Sequence, residues 1–361
     1  RRDRKEKKKM IIMKKEATQK QITHVASEVK RHGLRPAISE GKFRTVIGLI
    51  GDESQISFTH LATLPGVKEV KTIETLHKLI NCEYSELFYG KGENSTIKMG
   101  GIEIGGNEPI FIAGPCAIES RKQLFRIAEE IKMAKAHILR GGIFKPRSSV
   151  HSFQGLGALG PEEAEEALSW LRDAGKSFDM PVMTEVRGES QVDLIAEYAD
   201  ILQIGARNMY DQDLLSKVAR KGKPVLLKRH FGASIEEFLS FSEYIAAEGN
   251  KDIILCERGI VPVGKGKSLT RYTLDLAAVP VVQKETYLPI MVDPSHATGR
   301  RDLIFNMSCA AIAAGASGLL IEVHYNPAEA LVDAEQMITP EELKRIIIAS
   351  KRIHKVVIDK N

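Results

Sequence analysis

Eight short apolar runs alternate with helical stretches from residue 110 onward, and this alternation constrains the fold more than any other feature of the chain. The runs fall at residues 110–113, 137–141, 181–185, 200–204, 224–228, 253–256, 289–292 and 318–323. A short apolar run between turn signals predicts a strand buried on both faces. Strands joined through helices pair in parallel, because a parallel connection needs a long crossover. Capping boxes mark two of the helix starts: Ser234 with Glu237, and Thr339 with Glu342, the second having Pro340 at the first helical position. Eight such units over about 250 residues predict an α/β fold, the (β/α)8 TIM barrel. The alternative, an open doubly wound sheet, would want a glycine-rich dinucleotide fingerprint after its first strand. Gly114-Pro115-Cys116 stands there instead.

In such a barrel the chemistry sits at the carboxyl ends of the strands. Those ends carry Cys116, Arg140 with Lys145 and Arg147, Glu185, Arg207, Lys228, Arg258, His296 and Glu322, with Asp333 in the loop after the last strand. One strand-end arginine is an ordinary surface ion pair. Eight polar ends on one rim are different, because burying that many charges without a ligand costs several kcal/mol per unpaired ion, to order of magnitude. Arg140, Lys145, Arg147, Arg207, Lys228 and Arg258 are more cations than one phosphate needs. They suit two anionic groups, two phosphates or a phosphate and a carboxylate. Cys116, His296, Glu322 and Asp333 suit a borderline divalent metal such as Mn, Fe, Co or Zn. Taken singly, Cys116 reads equally well as a small buried apolar residue, and His296 as a hydrogen-bonded loop residue. The stretch from Gly259 to Lys265 imitates a P-loop, but Gly266 stands where that motif needs Ser or Thr.

Ahead of the barrel, residues 10–75 read as a small β-α-β-β-α-β unit of the ferredoxin-like kind. Ile22, Val25, Ala26 and Val29 mark one face of its first helix, and Pro65-Gly66 stops its second. Glycine-rich turns between residues 76 and 108 predict a linker with short strands, and residues 109–361 the barrel. Residues 1–9 read as a disordered basic tip. They hold seven bases and two acids and account for the whole formal charge of +5. The neutral remainder lacks the basic face of a nucleic-acid binder. No run approaches the ~18 apolar residues of a membrane span. Met10 to Met13 is too short an apolar stretch for a secretory signal. Four cysteines make no disulfide framework and fit a reducing cytoplasm.

From Gly106 to about residue 356 the motifs resemble those of the type I beta 3-deoxy-D-arabino-heptulosonate 7-phosphate (DAHP) synthases. They are Gly114-Pro115-Cys116, Leu139-Arg140-Gly141-Gly142, Lys145-Pro146-Arg147-Ser148-Ser149, Ser152-Phe153-Gln154-Gly155, Gln203-Ile204-Gly205-Ala206-Arg207-Asn208, Leu227-Lys228-Arg229, Cys256-Glu257-Arg258-Gly259, Asp293-Pro294-Ser295-His296 and Glu322-Val323-His324. The resemblance implies condensation of phosphoenolpyruvate with erythrose 4-phosphate, which would use the excess of cations. It assigns Arg140, Lys145, Glu185, Ala206, Arg207, Lys228 and Arg258 to phosphoenolpyruvate. It assigns Lys145, Pro146, Arg147 and Ser148 to erythrose 4-phosphate, and Cys116, His296, Glu322 and Asp333 to one divalent metal ion. Lys145, Glu185 and His296 are the expected catalytic groups. Lys145 is expected to protonate the aldehyde oxygen, with a pKa lowered by neighbouring arginines, and Glu185 to orient or activate water. The rival from the sister family, which makes 3-deoxy-octulosonate 8-phosphate from arabinose 5-phosphate, typically continues the shared lysine with Ala-Asn-Arg; here Pro146-Arg147 follows. A non-catalytic sugar-phosphate sensor is a rival of another class, against which stands the complete set of ligands. The small unit resembles an extension linked in relatives to feedback inhibition by aromatic amino acids. Ser39 is the regulatory candidate, while Ala37 stands where tyrosine-binding relatives often carry histidine, so the effector's identity stays open. The family implies a homotetramer.

Overall fold

The structure, a computed structural model, describes residues 8–41, 44–53, 56–73, 77–82, 95–145, 151–263 and 269–358. The small unit is an antiparallel sheet of strands β1 (Lys8–Met13), β2 (Arg35–Glu40), β3 (Thr45–Ile50) and β4 (Val67–Ile73), in the order β2-β3-β1-β4. Helices Gln19–Arg31 and Phe58–Thr63 lie between them in sequence. Thr18 caps the first in a reciprocal box with Gln21. Alternation along the strands sorts the two faces. Ile11, Met13, Ile47 and Leu49 pack with Ile22, Val25, Val29 and Leu61 of the helices. Met10, Ala37 and Val46 turn the other way and pack with Leu79 and Ile80 in the core shared with the barrel. β1 begins two residues earlier than the expected tip allows. Lys9 pairs with Thr72, donates its N–H to Glu53 at 2.7 Å and sets its ammonium over Phe58. Residues 1–7 lie outside the described residues.

Strands β7 (Ile110–Gly114), β8 (Ile138–Arg140), β9 (Val182–Val186), β10 (Ile201–Ile204), β11 (Val225–Lys228), β12 (Ile253–Glu257), β13 (Ile290–Val292) and β14 (Gly318–Glu322) close into one parallel barrel. Closure excludes the open doubly wound sheet. All eight expected strands form, each within a residue or so of its expected place.

The pleat decides which residues look inward. Ile138, Met183, Ile201, Leu226, Ile254, Met291 and Leu320 pack together inside the barrel. Two residues further along the same strands, on the same inward face, stand Arg140, Glu185, Gln203, Lys228, Cys256, Asp293 and Glu322. The interior is therefore an apolar floor under a polar layer. The intervening residues Leu139, Leu202, Val225, Leu227, Ile253 and Leu255 face the helices. A hairpin of β5 (Ile97–Met99) and β6 (Ile102–Ile104) presses Ile97 and Ile104 onto the apolar floor. It covers the amino-terminal end of the barrel interior, opposite the polar layer.

Candidate active site

The polar layer opens into a cavity of about 330 Å³ lined by Lys145, Ser152, Glu185, Gly205, Ala206, Arg207, Lys228, Phe231, Arg258, Arg271, Tyr272, His296 and Asp333. Cys116, His296, Glu322 and Asp333 each offer one donor atom, and all four atoms lie within 4.8 Å of one another. They come from the loop after β7, the helix Pro294–Thr298, the end of β14 and the turn at Asp333. Gly114 makes the approach of β7 and β8 possible. At φ +148° it is open to glycine, and an added Cβ would stand 2.0 Å from the carbonyl oxygen of Arg140.

The donors suit one divalent ion. His296 engages Asp293 through Nδ1 at 2.7 Å, while its backbone N–H donates to the same carboxylate at 2.9 Å. That leaves Nε2 facing Glu322 Oε1 at 3.3 Å, the usual way a carboxylate fixes the tautomer of a metal-binding imidazole. Glu322 is fully buried, and its backbone N–H donates to Ser295. Burial disfavours its charge, but His296 and Arg140 hold the carboxyl well below the usual range. Burial likewise works against Asp333, yet Lys145 at 2.8 Å holds it at about 2. The Cys116 thiol is pushed up by burial and by Glu322, so taking up a metal there means releasing the thiol proton.

Lys145 departs from expectation. Its pKa is raised, not lowered. Burial does oppose its charge, but the groups nearest the ammonium are anionic or anion-forming: Cys116 Sγ at 2.6 Å and Asp333 Oδ2 at 2.8 Å, with Glu322 close by. Of the arginines expected to crowd it, Arg140 is paired within the protein. Arg140 donates to Glu322 at 2.6 Å, and Lys228 likewise donates to Asp293 at 2.6 Å. Half of the six expected cations are thus paired within the protein. Arg258 is not so matched: it is buried over the Tyr272 ring, and its Nη1 has no hydrogen-bond partner among the described residues. A buried guanidinium nitrogen without an acceptor points to a ligand anion in the cavity.

Glu185 stands on the opposite wall, held by Gln203 Nε2 at 3.0 Å. A Cβ on Gly205 would meet Glu185 Oε1 at 2.2 Å, so glycine there makes room for the carboxylate. Ala206 and Arg207 follow in a short 3-10 turn on the cavity wall. Pro146, Arg147 and Ser148, and the P-loop-like residues 264–268, lie outside the described residues. Ser39 is buried in β2 opposite Val46 and is not among the residues lining this cavity.

Several residues of the site were given no role from sequence. Asp293 and Gln203 could have been given one, by counting two residues along from each inward apolar side chain. Arg271, Tyr272 and Phe231 could not, because they sit on loops without periodicity. A further support lies outside the barrel wall. Arg229 donates to Glu257 at 3.0 Å and Asp275 at 2.8 Å, and the other oxygen of Glu257 accepts the Gly259 N–H at 2.7 Å. This pins both the turn that carries Arg258 and the segment that carries Arg271 and Tyr272.

With known proteins, residues 86–358 match the DAHP synthetase I family, and residues 10–75 match the DAHP synthase ferredoxin-like domain. The chain is 43% identical to a phospho-2-dehydro-3-deoxyheptonate aldolase of Thermotoga maritima, over 95% of this chain and 97% of that one. A crystal structure of that organism's phospho-2-dehydro-3-deoxyheptonate aldolase (DAHP synthase) superposes with a TM-score of 0.73 at 42% identity, covering 97% of this chain and 98% of that one. A 2-dehydro-3-deoxyphosphooctonate aldolase of Syntrophobacter fumaroxidans is 30% identical, over 72% of this chain and 92% of its own length.

Proposed function

The chain belongs to the DAHP synthetase I family, and from that premise we propose how its residues carry the family's reaction. The protein condenses phosphoenolpyruvate with erythrose 4-phosphate and water to DAHP and phosphate, the first step of the shikimate pathway. A carbon–carbon bond forms between C3 of phosphoenolpyruvate and the aldehyde carbon. The aldehyde oxygen gains a proton, water adds at C2, and the bond from C2 to the phosphate oxygen breaks.

Arg258, Arg207 and Lys228, with the Ala206 backbone, hold the carboxylate and phosphate of phosphoenolpyruvate. The orphaned Nη1 of Arg258 supports this most directly. Erythrose 4-phosphate lies towards Lys145, Pro146, Arg147 and Ser148. Lys145 keeps its proton through binding, because anionic neighbours hold it, and releases it to the alkoxide as that charge develops. Glu185, fixed by Gln203, orients the water that adds at C2. Cys116, His296, Glu322 and Asp333 would hold one divalent ion, Mn, Fe, Co or Zn. Once bound, such an ion supplies a positive charge that draws electrons from the aldehyde. We further infer a homotetramer, and an aromatic amino acid effector acting through residues 10–75, with Ser39 as a contact.

The observation that carries this reading is the four-donor cluster set directly against the Lys145 ammonium, beside a cavity that also holds the unmatched Arg258 Nη1. The metal-loaded protein is assayed for phosphate release from phosphoenolpyruvate with erythrose 4-phosphate and, separately, with arabinose 5-phosphate. Turnover with the four-carbon sugar is expected; preference for the five-carbon sugar would overturn the assignment. Repeating the assay with tyrosine, phenylalanine and tryptophan tests the effector.

A further inference from the structure

Gln336 has no part in the reading above, yet its side chain fills the seam between the four-donor cluster and the cavity wall. It is 2% exposed. Its Nε2 donates to Glu322 Oε2 at 2.5 Å, and its Oε1 accepts from Arg271 Nη1 at 3.1 Å. The partners dictate this orientation of the amide. An ionised carboxylate only accepts and a guanidinium only donates, so a flipped amide would face acceptor with acceptor and donor with donor.

The backbone around Gln336 is fixed as well. Asp333 adopts a left-handed φ of 51°, and its carbonyl accepts the Gln336 N–H at 3.1 Å. Arg301 donates to the carbonyls of Ala334 at 3.0 Å and Met337 at 2.5 Å, on either side of Gln336. On the metal side, Arg140 takes Glu322 Oε1, so the carboxylate is clamped at both oxygens. On the cavity side, the Arg271 N–H donates to Thr298 at the end of the helix that carries His296. Arg271 itself is exposed on the cavity wall, one more cation than the strand ends supply.

We propose that Gln336 is a positioning residue that sets Glu322 as a metal ligand and, through the other end of its amide, aims Arg271 at a substrate anion. The inference rests on the metal assignment above and deepens it. The two arms are separable. Substituting Gln336 breaks both, whereas substituting Arg271 leaves the donor to Glu322 in place.

The test uses the full chain, stripped of metal and titrated with Co²⁺, following the near-ultraviolet charge-transfer band of the Cys116 thiolate on cobalt. KM for each phosphorylated substrate is measured separately. Gln336→Met is expected to bind Co²⁺ about 10- to 100-fold more weakly, the usual cost of losing such an outer partner. Arg271→Met is expected to keep the metal affinity of the unsubstituted protein and to raise KM for one phosphorylated substrate by about tenfold, a lost charge-assisted hydrogen bond. Gln336→Leu is measured beside Gln336→Met, so that one misfolded variant leaves the question answerable. Unchanged cobalt affinity in a folded Gln336 variant overturns the proposal. So does equal loss in Arg271→Met, where the Glu322 contact is intact. No cobalt binding by the unsubstituted protein overturns the metal assignment itself, and this inference with it.

Discussion

Asp293 lies fully buried between His296 and Lys228 and accepts from both. Its oxygens fix the imidazole tautomer and neutralise a cation that otherwise would stand alone in the barrel. Asp293→Asn removes the negative charge and lets the amide turn the wrong way. We expect metal affinity to fall about 10- to 100-fold, measured by cobalt titration, and a variant that binds cobalt like the original would show that His296 is oriented by something else. His137 supplies a residue-scale effect on stability. Its Nδ1 accepts the Phe111 N–H at 3.0 Å, and its ring stacks on Phe111. Burial, with Lys351 nearby, lowers its pKa from 6.5 to about 4. The native protein therefore stays unprotonated there over a range in which the unfolded chain takes up a proton. Stability present above pH 6.5 is lost as the pH falls towards 4, by at most about 3 kcal/mol. Urea midpoints at pH 7 and 4.5 should differ less in His137→Gln than in the original protein. An equal difference would assign the acid sensitivity to other groups.

At the scale of elements, the segments that carry Arg258, Arg271 and Tyr272 are held from behind by Arg229, Glu257 and Asp275. Ile260 also bridges to Thr273, and the Tyr272 N–H donates to Ala297. The described residues of this cavity wall are thus tied together. Glu257 is fully buried, and burial raises its pKa although Arg229 opposes the shift. Arg229→Met removes the only guanidinium among the described residues that bonds it. We expect a loss of about 3–5 kcal/mol, the cost of leaving a buried ion unpaired, read as a lower urea midpoint. A variant of unchanged midpoint would mean that Glu257 takes up a proton at little cost. The strands show a complementary logic. One pleat determines both the apolar floor and the polar layer, so a one-residue slip of a strand would turn its polar-layer residue, such as Arg140 or Glu185, away from the cavity.

Over the whole molecule, the small sheet is tied to the barrel's side and not to its open end. Glu243, on helix Ile235–Ala247, accepts the N–H groups of Leu79 at 2.6 Å and Ile80 at 3.1 Å. The Tyr287 hydroxyl donates to the Leu79 carbonyl, Arg35 pairs with Glu248, and Lys251 reaches the Glu40 carbonyl. Glu243→Ala leaves two N–H groups of buried residues without that acceptor, at about 1–3 kcal/mol each. Calorimetry should then resolve two transitions, the small sheet melting first. A single transition shifted as a whole would show that the sheet is held chiefly by the other ties. No helix of the described residues is long and apolar enough to cross a membrane.

The sequence by itself determined the barrel, the ferredoxin-like unit and the rim of polar groups, because short apolar runs, helix caps and strand-end residue types are local. A residue's neighbours along the chain carry that information. Only the tertiary structure decided what those groups do to one another. Lys145 holds its proton because Cys116 and Asp333, 29 and 188 residues away in sequence, approach its ammonium. Half of the cations are spent on internal carboxylates for the same reason. Gln336 and Arg271 meet across 65 residues, and neither carries a motif. Distances between groups set electrostatics and hydrogen bonding, and such distances exist only once the barrel has closed.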